Sequence, residues 1–361
     1  MNGSDELQPL LAALRDLRSA DRRAALITLT RTRGATFRDV GTRMLVHQDG
    51  TSVCELSGGC PQHDIMAHAR EVLASGEVRR VRYDEESGLD VLMEMGCGGE
   101  LDVLVEPLDG SSDLAWVEAL TTCLEQRREG RLATVFARNG ETLPTRHAVW
   151  CGDELLYDGI ADESLRETIE GLAHGFPERP ASTVVETARG RFEVLIERIP
   201  PPHALVVVGS STAARALLPL AVSLGWPTTL VDFDAERLRD AAVPQGVRTL
   251  HAAPSGLTDA LRLDAATSLV VMTHNLHKDA DYLAAVSGMP LAYVGLLGAR
   301  GRVKRVLELA DLTDRDVHGP VGLDIGSRSP AEIALSIVAE ILAVIRGRPG
   351  SPLRGLDGTI H

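Results

Sequence analysis

The chain opens with leucines at helical spacing. Leu7, Leu10, Leu11, Leu14 and Leu17 recur every three or four residues, with Arg15, Asp16 and Arg18 on the other side, which predicts an amphipathic helix over 6–18. The unbroken run from Ala24 to Thr30 predicts a strand, and 42–47 with 51–56 predict a hairpin turning at Asp49-Gly50. Pro61 suits the first turn of a helix running to about Ser75. Further strands are expected over 78–83, 89–95, 101–105, 132–137, 146–150, 184–187 and 192–199, with helices over 112–128 and 161–173. These elements read as a mixed sheet with its helices, a first domain over 1–199.

Pro200-Pro201-Pro202 is a stiff connector without amide donors, and it marks a boundary. Beyond it, the buried-strand pattern 204–208, a helix over 212–224 and a strand over 228–232 form the opening βαβ of a Rossmann-like domain over 203–346. Two βα units follow, 268–273 with 278–287 and 291–297 with 300–310. A last helix over 330–346 carries Ile333, Ala334, Ile337, Ile341 and Leu342. Residues 347–361, rich in Gly and Pro, predict an irregular tail. The fold class expected is α/β: an N-terminal mixed α/β domain plus a C-terminal Rossmann-like parallel-sheet domain.

Composition sharpens this picture. With 44% hydrophobic but only 3% aromatic residues in 361, the core must be built of Val, Leu, Ile and Ala, which suits strands buried on both faces. The net charge, 37 − 51 = −14, repels a phosphate backbone and argues against nucleic acid as a partner. No run approaches the ~18 apolar residues of a membrane span. The polar, acidic stretch Met1–Glu6 lacks the basic and apolar regions of a signal peptide, so a cytoplasmic location is expected. The cysteines are Cys54, Cys60, Cys97, Cys123 and Cys151. An odd count with no C-x-x-C pair argues against a disulfide framework, a zinc ribbon and a thioredoxin-type motif.

Two stretches join cysteine to glycine, Leu56-Ser57-Gly58-Gly59-Cys60 and Met95-Gly96-Cys97-Gly98-Gly99, and each follows a predicted strand. Glycine frees backbone amides to approach an anion, and a thiolate faces a metal or carries sulfur. The plainer reading is two tight turns with buried structural cysteines. A zinc site from Cys54, Cys60, His63 and Cys97 has one ligand-like spacing but no second pair. Cys123, Cys151 and Cys54 are read as packing residues.

The Rossmann turn, Gly209-Ser210-Ser211-Thr212-Ala213-Ala214, keeps the first glycine of G-x-G-x-x-G/A and allows Ala214 in third place, but puts Ser211 where the middle glycine lets a pyrophosphate approach. Asp232 stands where a ribose hydroxyl would be bound, His274 ends a later strand as a candidate acid or base, and Arg300 and Arg328 are candidate anion contacts. NAD(P) binding by a Rossmann fold and a Rossmann fold without a nucleotide are both open, with weak or absent binding expected from Ser211.

Taken together, Ser57-Gly58-Gly59-Cys60, Gly96-Cys97-Gly98-Gly99 with Leu104-Val105-Glu106-Pro107, Val271-Met272-Thr273-His274, and the long segment from Pro320 to Ala334 resemble the XdhC/CoxI family. The family matures xanthine dehydrogenase and related molybdenum hydroxylases. The resemblance implies a chaperone that binds the molybdenum cofactor, assists its sulfuration and hands it to the apoenzyme, with a cysteine desulfurase as sulfur donor, often as a homodimer. It implies cofactor binding by Gly58, Gly59, Cys60, Gly96, Cys97, Gly98 and Gly99, with molybdenum reached through Cys60 and Cys97. The departures lie in Ser211 and in Asn275, where Asp is common. The competing readings are an NAD(P)-dependent oxidoreductase using Gly209, Ser210, Ser211, Asp232, His274 and Arg300, and a non-catalytic scaffold for molybdoenzyme assembly.

Overall fold

A computed structural model describes the chain over residues 3–19, 22–34, 36, 38–56, 60–84, 99–109, 112–175, 179–313 and 316–355. The chain divides into two compact units, Met1–Pro201 and Pro202–His361.

The first unit holds helix α1 (Ser4–Ser19), strands β1 (Ala24–Arg33), β2 (Arg43–His47) and β3 (Ser52–Val53), helix α2 (Cys60–Ser75), and strands β4 (Arg79–Tyr83) and β5 (Glu100–Leu108). It continues with helix α3 (Ala115–Glu125), strands β6 (Gly130–Arg138), β7 (Glu141–Cys151) and β8 (Glu154–Asp158), helix α4 (Glu163–Gly175), and strands β9 (Ala181–Thr187) and β10 (Gly190–Ile199). These strands form two five-stranded sheets, β3-β2-β1-β5-β4 and β8-β7-β6-β10-β9. The expected single mixed sheet is therefore replaced by two sheets whose pairings are all antiparallel. The reason lies in the connections. β2–β3, β6–β7, β7–β8 and β9–β10 are joined by turns of two to four residues, which close hairpins and cannot make a parallel crossover. The strand expected over 89–95 lies outside the described residues. β8 is only partly buried and has no apolar alternation to betray it.

β1 is buried at every position from Ala24 to Thr30, because both faces of its sheet are covered. Ala25, Ile27 and Leu29 pack under Ile65, Ala69, Val72 and Leu73 of α2. Ala24 and Leu26 join the α1 leucines, Trp116, Val117 and Leu120 of α3, and Leu132 and Val149 of the second sheet. Helix α4 covers the far face of the second sheet through Leu165 and Ile169. The two sheets thus share one interior.

An ion pair crosses that interior. Arg43 on β2 donates from Nη1 and Nη2 to the two carboxylate oxygens of Glu197 on β10, at 2.9 and 2.5 Å, and Nη1 also reaches the Gly41 carbonyl. Glu197 is fully buried. Gly41 lies at φ +82°, and a Cβ there would collide with the Glu197 carboxylate, so this turn requires glycine.

The cysteine pattern is corrected at one place: Cys123 on α3 and Cys151 at the end of β7 form a disulfide, with Cα atoms 5.5 Å apart. They lie 28 positions apart in sequence, and the packing of α3 on the β6–β7 hairpin brings them together.

The second unit holds strand β11 (Ala204–Val208), helix α5 (Thr212–Ser223), strand β12 (Thr228–Asp232), helix α6 (Ala235–Asp240), strand β13 (Arg248–His251) and the short helix α7 (Leu257–Ala260). Strand β14 (Thr267–Val271), helix α8 (Leu276–Ala285), strand β15 (Tyr293–Leu296) and helices α9 (Arg300–Ala310) and α10 (Pro330–Ile345) complete it. The sheet runs β13-β12-β11-β14-β15, parallel throughout, in Rossmann order. Alternation along β11 divides the core. Leu205 and Val207 pack with α5 and α10, while Val206 and Val208 pack with α8 and α9.

Removing one partner of the buried pair leaves the other charge desolvated without its counter-ion. Glu197→Ala is expected to cost about 3–5 kcal/mol, and Arg43→Met with Glu197→Leu to recover most of it. Urea unfolding of the three proteins checks this; equal midpoints for the native chain and Glu197→Ala would contradict it.

Candidate functional site

The inner face of β5 runs Leu104, Glu106, Leu108, so a carboxyl stands where the pattern asks for an apolar residue. Glu106 sits opposite Leu26 of β1. From the second sheet, Thr145 and His147 on β7 reach the same space, and α3 adds Trp116. Together with Val78, Pro107, Ser112, Asp113, Pro144 and Arg146 they line a cavity of about 320 Å³. That size and mixture, apolar walls with a few convergent polar groups, is what small-ligand sites share.

The protonation pattern follows from the state of Glu106. With Glu106 ionised, Thr145 Oγ1 donates to Glu106 Oε1, so toward His147 Nε2, 3.2 Å away, it accepts. Nε2 therefore carries the imidazole proton, and Nδ1 accepts from Thr134 Oγ1 at 3.1 Å. The ring is stacked on Trp116, centroids 4.5 Å apart. Burial, helped by the charge of Arg43, holds the His147 imidazole down to about 3, so it is neutral. Burial pushes the Glu106 carboxyl up to about 7, against the opposing pull of Thr145 and Arg43. Near neutral pH Glu106 thus both donates and accepts, and its Oε2 has no hydrogen bond from a described residue. At the rim, Tyr157 donates to Asp113 and holds its carboxyl below the usual range. Sequence patterning does not mark Glu106, Thr145, His147 or Trp116 as site residues. The signals it does hold are a Glu inside the apolar run Leu104-Val105-Glu106-Pro107 and a His just before Ala148-Val149-Trp150.

The cysteine loops fare differently. Cys60 is the first residue of α2. Its side chain, Gly58, Gly59, Gly96, Cys97 and Gly98 lie outside the described residues, and Gly99 is buried just before β5. Cys54 has φ +65° and its thiol donates to the Glu6 carbonyl at 3.3 Å, with burial raising it to about 11. His63 is exposed on α2. Among the described residues no group of three His, Cys, Asp or Glu is arranged to hold a metal.

In the second unit the candidate nucleotide residues are engaged with one another. Gly209 lies at φ +104°, and a Cβ would stand 2.7 Å from the Met272 backbone, so this glycine is needed for packing whether or not a nucleotide binds. Ser211 caps α5, its Oγ accepting the Ala214 N–H. Asp232 is buried; Oδ2 accepts from the Ser210 N–H and hydroxyl at 2.9 and 2.7 Å, and Oδ1 from the Asp234 N–H at 3.0 Å. Little acceptor capacity is left for a ribose diol. His274 is exposed at φ +62°, and Arg300 and Arg328 are exposed. Asn275 caps α8 through Lys278 N–H, a task Asn performs as well as Asp.

The chain is thus a two-unit α/β protein with a Rossmann unit of altered turn and a polar cavity in its other half. The model of the XdhC and CoxI family matches residues 17–84, and that of the XdhC Rossmann domain matches 205–341. The chain belongs to the XdhC and CoxI family. A probable xanthine dehydrogenase subunit of Bacillus subtilis (strain 168) is 25% identical over 322 residues, 88% of this chain and 92% of that protein. The molybdenum cofactor insertion chaperone PaoD of Escherichia coli (strain K12) is 25% identical over 330 residues, 89% of this chain and 83% of its own. The crystal structure of a xanthine dehydrogenase from Bacillus halodurans shares the fold, with a TM-score of 0.78 at 23% identity, covering 96% of this chain and 98% of that one.

The two titrating groups of the cavity make stability depend on pH. Glu106, raised from 4.5 to about 7, contributes stability present below 4.5 and lost as pH rises through 7. His147, lowered from 6.5 to about 3, contributes stability present above 6.5 and lost as pH falls through 3. Between these limits the slopes oppose. Glu106→Gln removes the first, so the variant should gain on the native chain from pH 5 to 7, by on the order of 2–3 kcal/mol, and level off by pH 8. Urea denaturation across that range measures the difference, and a pH-independent gap would refute the effect of burial. Separately, NADH and NADPH should show no saturable binding below about 1 mM, an affinity of about 4 kcal/mol; micromolar binding by fluorescence titration would show that Ser211 and Asp232 do not matter.

Proposed function

We propose that this chain is a maturation chaperone that binds the molybdenum cofactor, protects it and delivers it to a molybdenum hydroxylase apoenzyme. In this reading a cysteine desulfurase supplies sulfur for its sulfuration, and the chaperone works as a homodimer. The observation that carries the reading is the cavity between the two sheets, in a member of this family, with a buried carboxyl whose Oε2 is unclaimed by described residues. The cargo is a pterin bearing a dithiolene-bound molybdenum and a phosphate. Glu106 fits the hydrogen-bonding edge of a pterin, since a carboxyl near its titration point both donates and accepts. Neutral His147 adds no charge that would bind the cargo irreversibly.

The glycine-flanked thiols of Cys60 and Cys97 are the proposed contacts to molybdenum or to a transferable sulfur, with Gly58, Gly59, Gly96, Gly98 and Gly99 offering backbone amides. An oxidoreductase role is disfavoured by the engaged Asp232 and the capping Ser211.

The protein is to be purified from a molybdenum-replete host, and metal and pterin measured per folded protomer. Cys60→Ala and Cys97→Ala should each lower cofactor content about tenfold, 1.4 kcal/mol, without a change in melting temperature. Glu106→Leu should lower pterin retention. Unchanged content in all three variants overturns the site, and a native protein that retains neither metal nor pterin overturns the chaperone reading in favour of a scaffold.

A further inference from the structure

A second cavity of the first unit, about 460 Å³, has an electrostatic character at odds with the rest of the chain. It is lined by Arg31, Arg80, Arg82 and Arg191, with Asn139 and Glu193. The register explains the gathering. Arg31 of β1 and Arg82 of β4 both sit opposite Asp102 of β5, in one row across three adjacent strands, and Arg80 lies two residues from Arg82 on the same face. From the second sheet, Arg191 and Glu193 are two apart on β10.

The acceptors provided do not match the donors. Arg31, Arg80 and Arg82 all converge on one buried carboxylate, Asp102, at 3.9, 3.2 and 3.0 Å. Arg80 is the structural member of the set. It bridges to Glu193 at 3.0 and 3.1 Å and lies over the Phe136 ring, yet its buried Nε has no acceptor among the described residues. Arg82 has a further, looser contact with Asp84 at 3.8 Å. Among the described residues Arg31 has only its long contact to Asp102, and Arg191, opposite Glu186 in register, makes no ion pair within 4 Å. Among the described residues the cavity wall thus carries four guanidiniums and one carboxylate, Glu193, with Asp102 and Asp84 paired to them and Glu186 opposite Arg191 on β9. Like charges gathered this way repel and cost stability unless an anion joins them.

We propose that this cavity binds a phosphate-type oxyanion, as inorganic pyrophosphate or as the diphosphate end of a larger ligand. Guanidinium forks pair bidentately with phosphate oxygens. Forks arriving from two sheets surround a tetrahedral group, whereas a planar carboxylate would engage them from one side. The volume exceeds the needs of a single phosphate. None of the residues that line the Glu106 cavity takes part, so the two sites stand or fall separately.

The test is calorimetric titration of the full chain at low salt with inorganic pyrophosphate and, separately, with ADP. The native protein should bind pyrophosphate saturably, and added salt should weaken it. Arg31→Ala with Arg191→Ala removes the two arginines least tied to carboxylates, and should weaken binding about tenfold or more, while the two Lys replacements restore part of it. Should the double variant fail to fold, Arg191→Gln alone carries the test, since Arg191 is exposed. Tighter binding of ADP than of pyrophosphate, about tenfold, assigns the site to the phosphate end of an organic ligand; equal affinity assigns it to the inorganic anion. No saturable binding of either ligand by the native chain, or undiminished binding by a folded variant, overturns the proposal.

Discussion

The bidentate pair of Arg43 and Glu197 sets the terms for the whole first unit. It joins β2 of one sheet to β10 of the other at a depth where Glu197 has no solvent exposure. A pair at that depth is an indifferent source of stability, because desolvation consumes much of the attraction. Its geometry is nevertheless demanding. Two parallel N–H···O bonds and a glycine turn that admits the carboxylate allow one register between the sheets. The Arg43 charge also reaches the neighbouring cavity, where it favours neutral His147 and ionised Glu106. The same guanidinium that pins the sheets therefore biases the protonation state of the residues between them.

The second unit shows the opposite arrangement. Its buried polar side chains are mostly matched internally, with Arg215 Nε of α5 the exception among the described residues. Asp279, fully buried, accepts from the Thr273 N–H and hydroxyl and from Arg302, which also holds the Leu297 carbonyl. The long segment after Pro320 has a structural account too. Gly322, at φ +107°, leaves no room for a Cβ beside Ser336, and its N–H goes to Glu340, which also accepts from Tyr293. Ser329 and Glu332 close a capping box at the start of α10. This segment fastens the last helix to the sheet.

Much of the fold is legible in the sequence, and the reasons differ by unit. In the parallel sheet the inner strands are covered on both faces, so apolar runs such as Leu205-Val206-Val207-Val208 announce themselves, whereas the exposed edge strand β13 carries no such run. In the first unit the same periodicities reveal strands but not their partners. Short hairpin turns make two antiparallel sheets in place of the one mixed sheet expected. The disulfide is invisible in the sequence because its cysteines meet only through the packing of α3 on a hairpin. The site is harder still. Glycines and cysteines draw attention by type, whereas Glu106 and His147 acquire their character from burial, and burial belongs to the tertiary structure.

That contrast bears on where the proposed cargo would be held. A Rossmann turn binds phosphate through unpaired amides at a helix N-terminus, and here the Ser210 N–H is taken by Asp232 and the Ala214 N–H by the Ser211 hydroxyl. The first unit holds a carboxyl with an oxygen unclaimed by described residues and a second cavity whose wall carries four guanidiniums and one carboxylate. A carrier that must also release its ligand is served by groups whose hydrogen bonding can be exchanged rather than by a closed set of strong ligands. Glu106 meets that requirement because burial has moved it to the pH at which either of its forms is accessible, so a small change in its surroundings alters what it offers. Among the described residues, buried side-chain atoms without a hydrogen bond fall mostly in the first unit, where the proposed site lies.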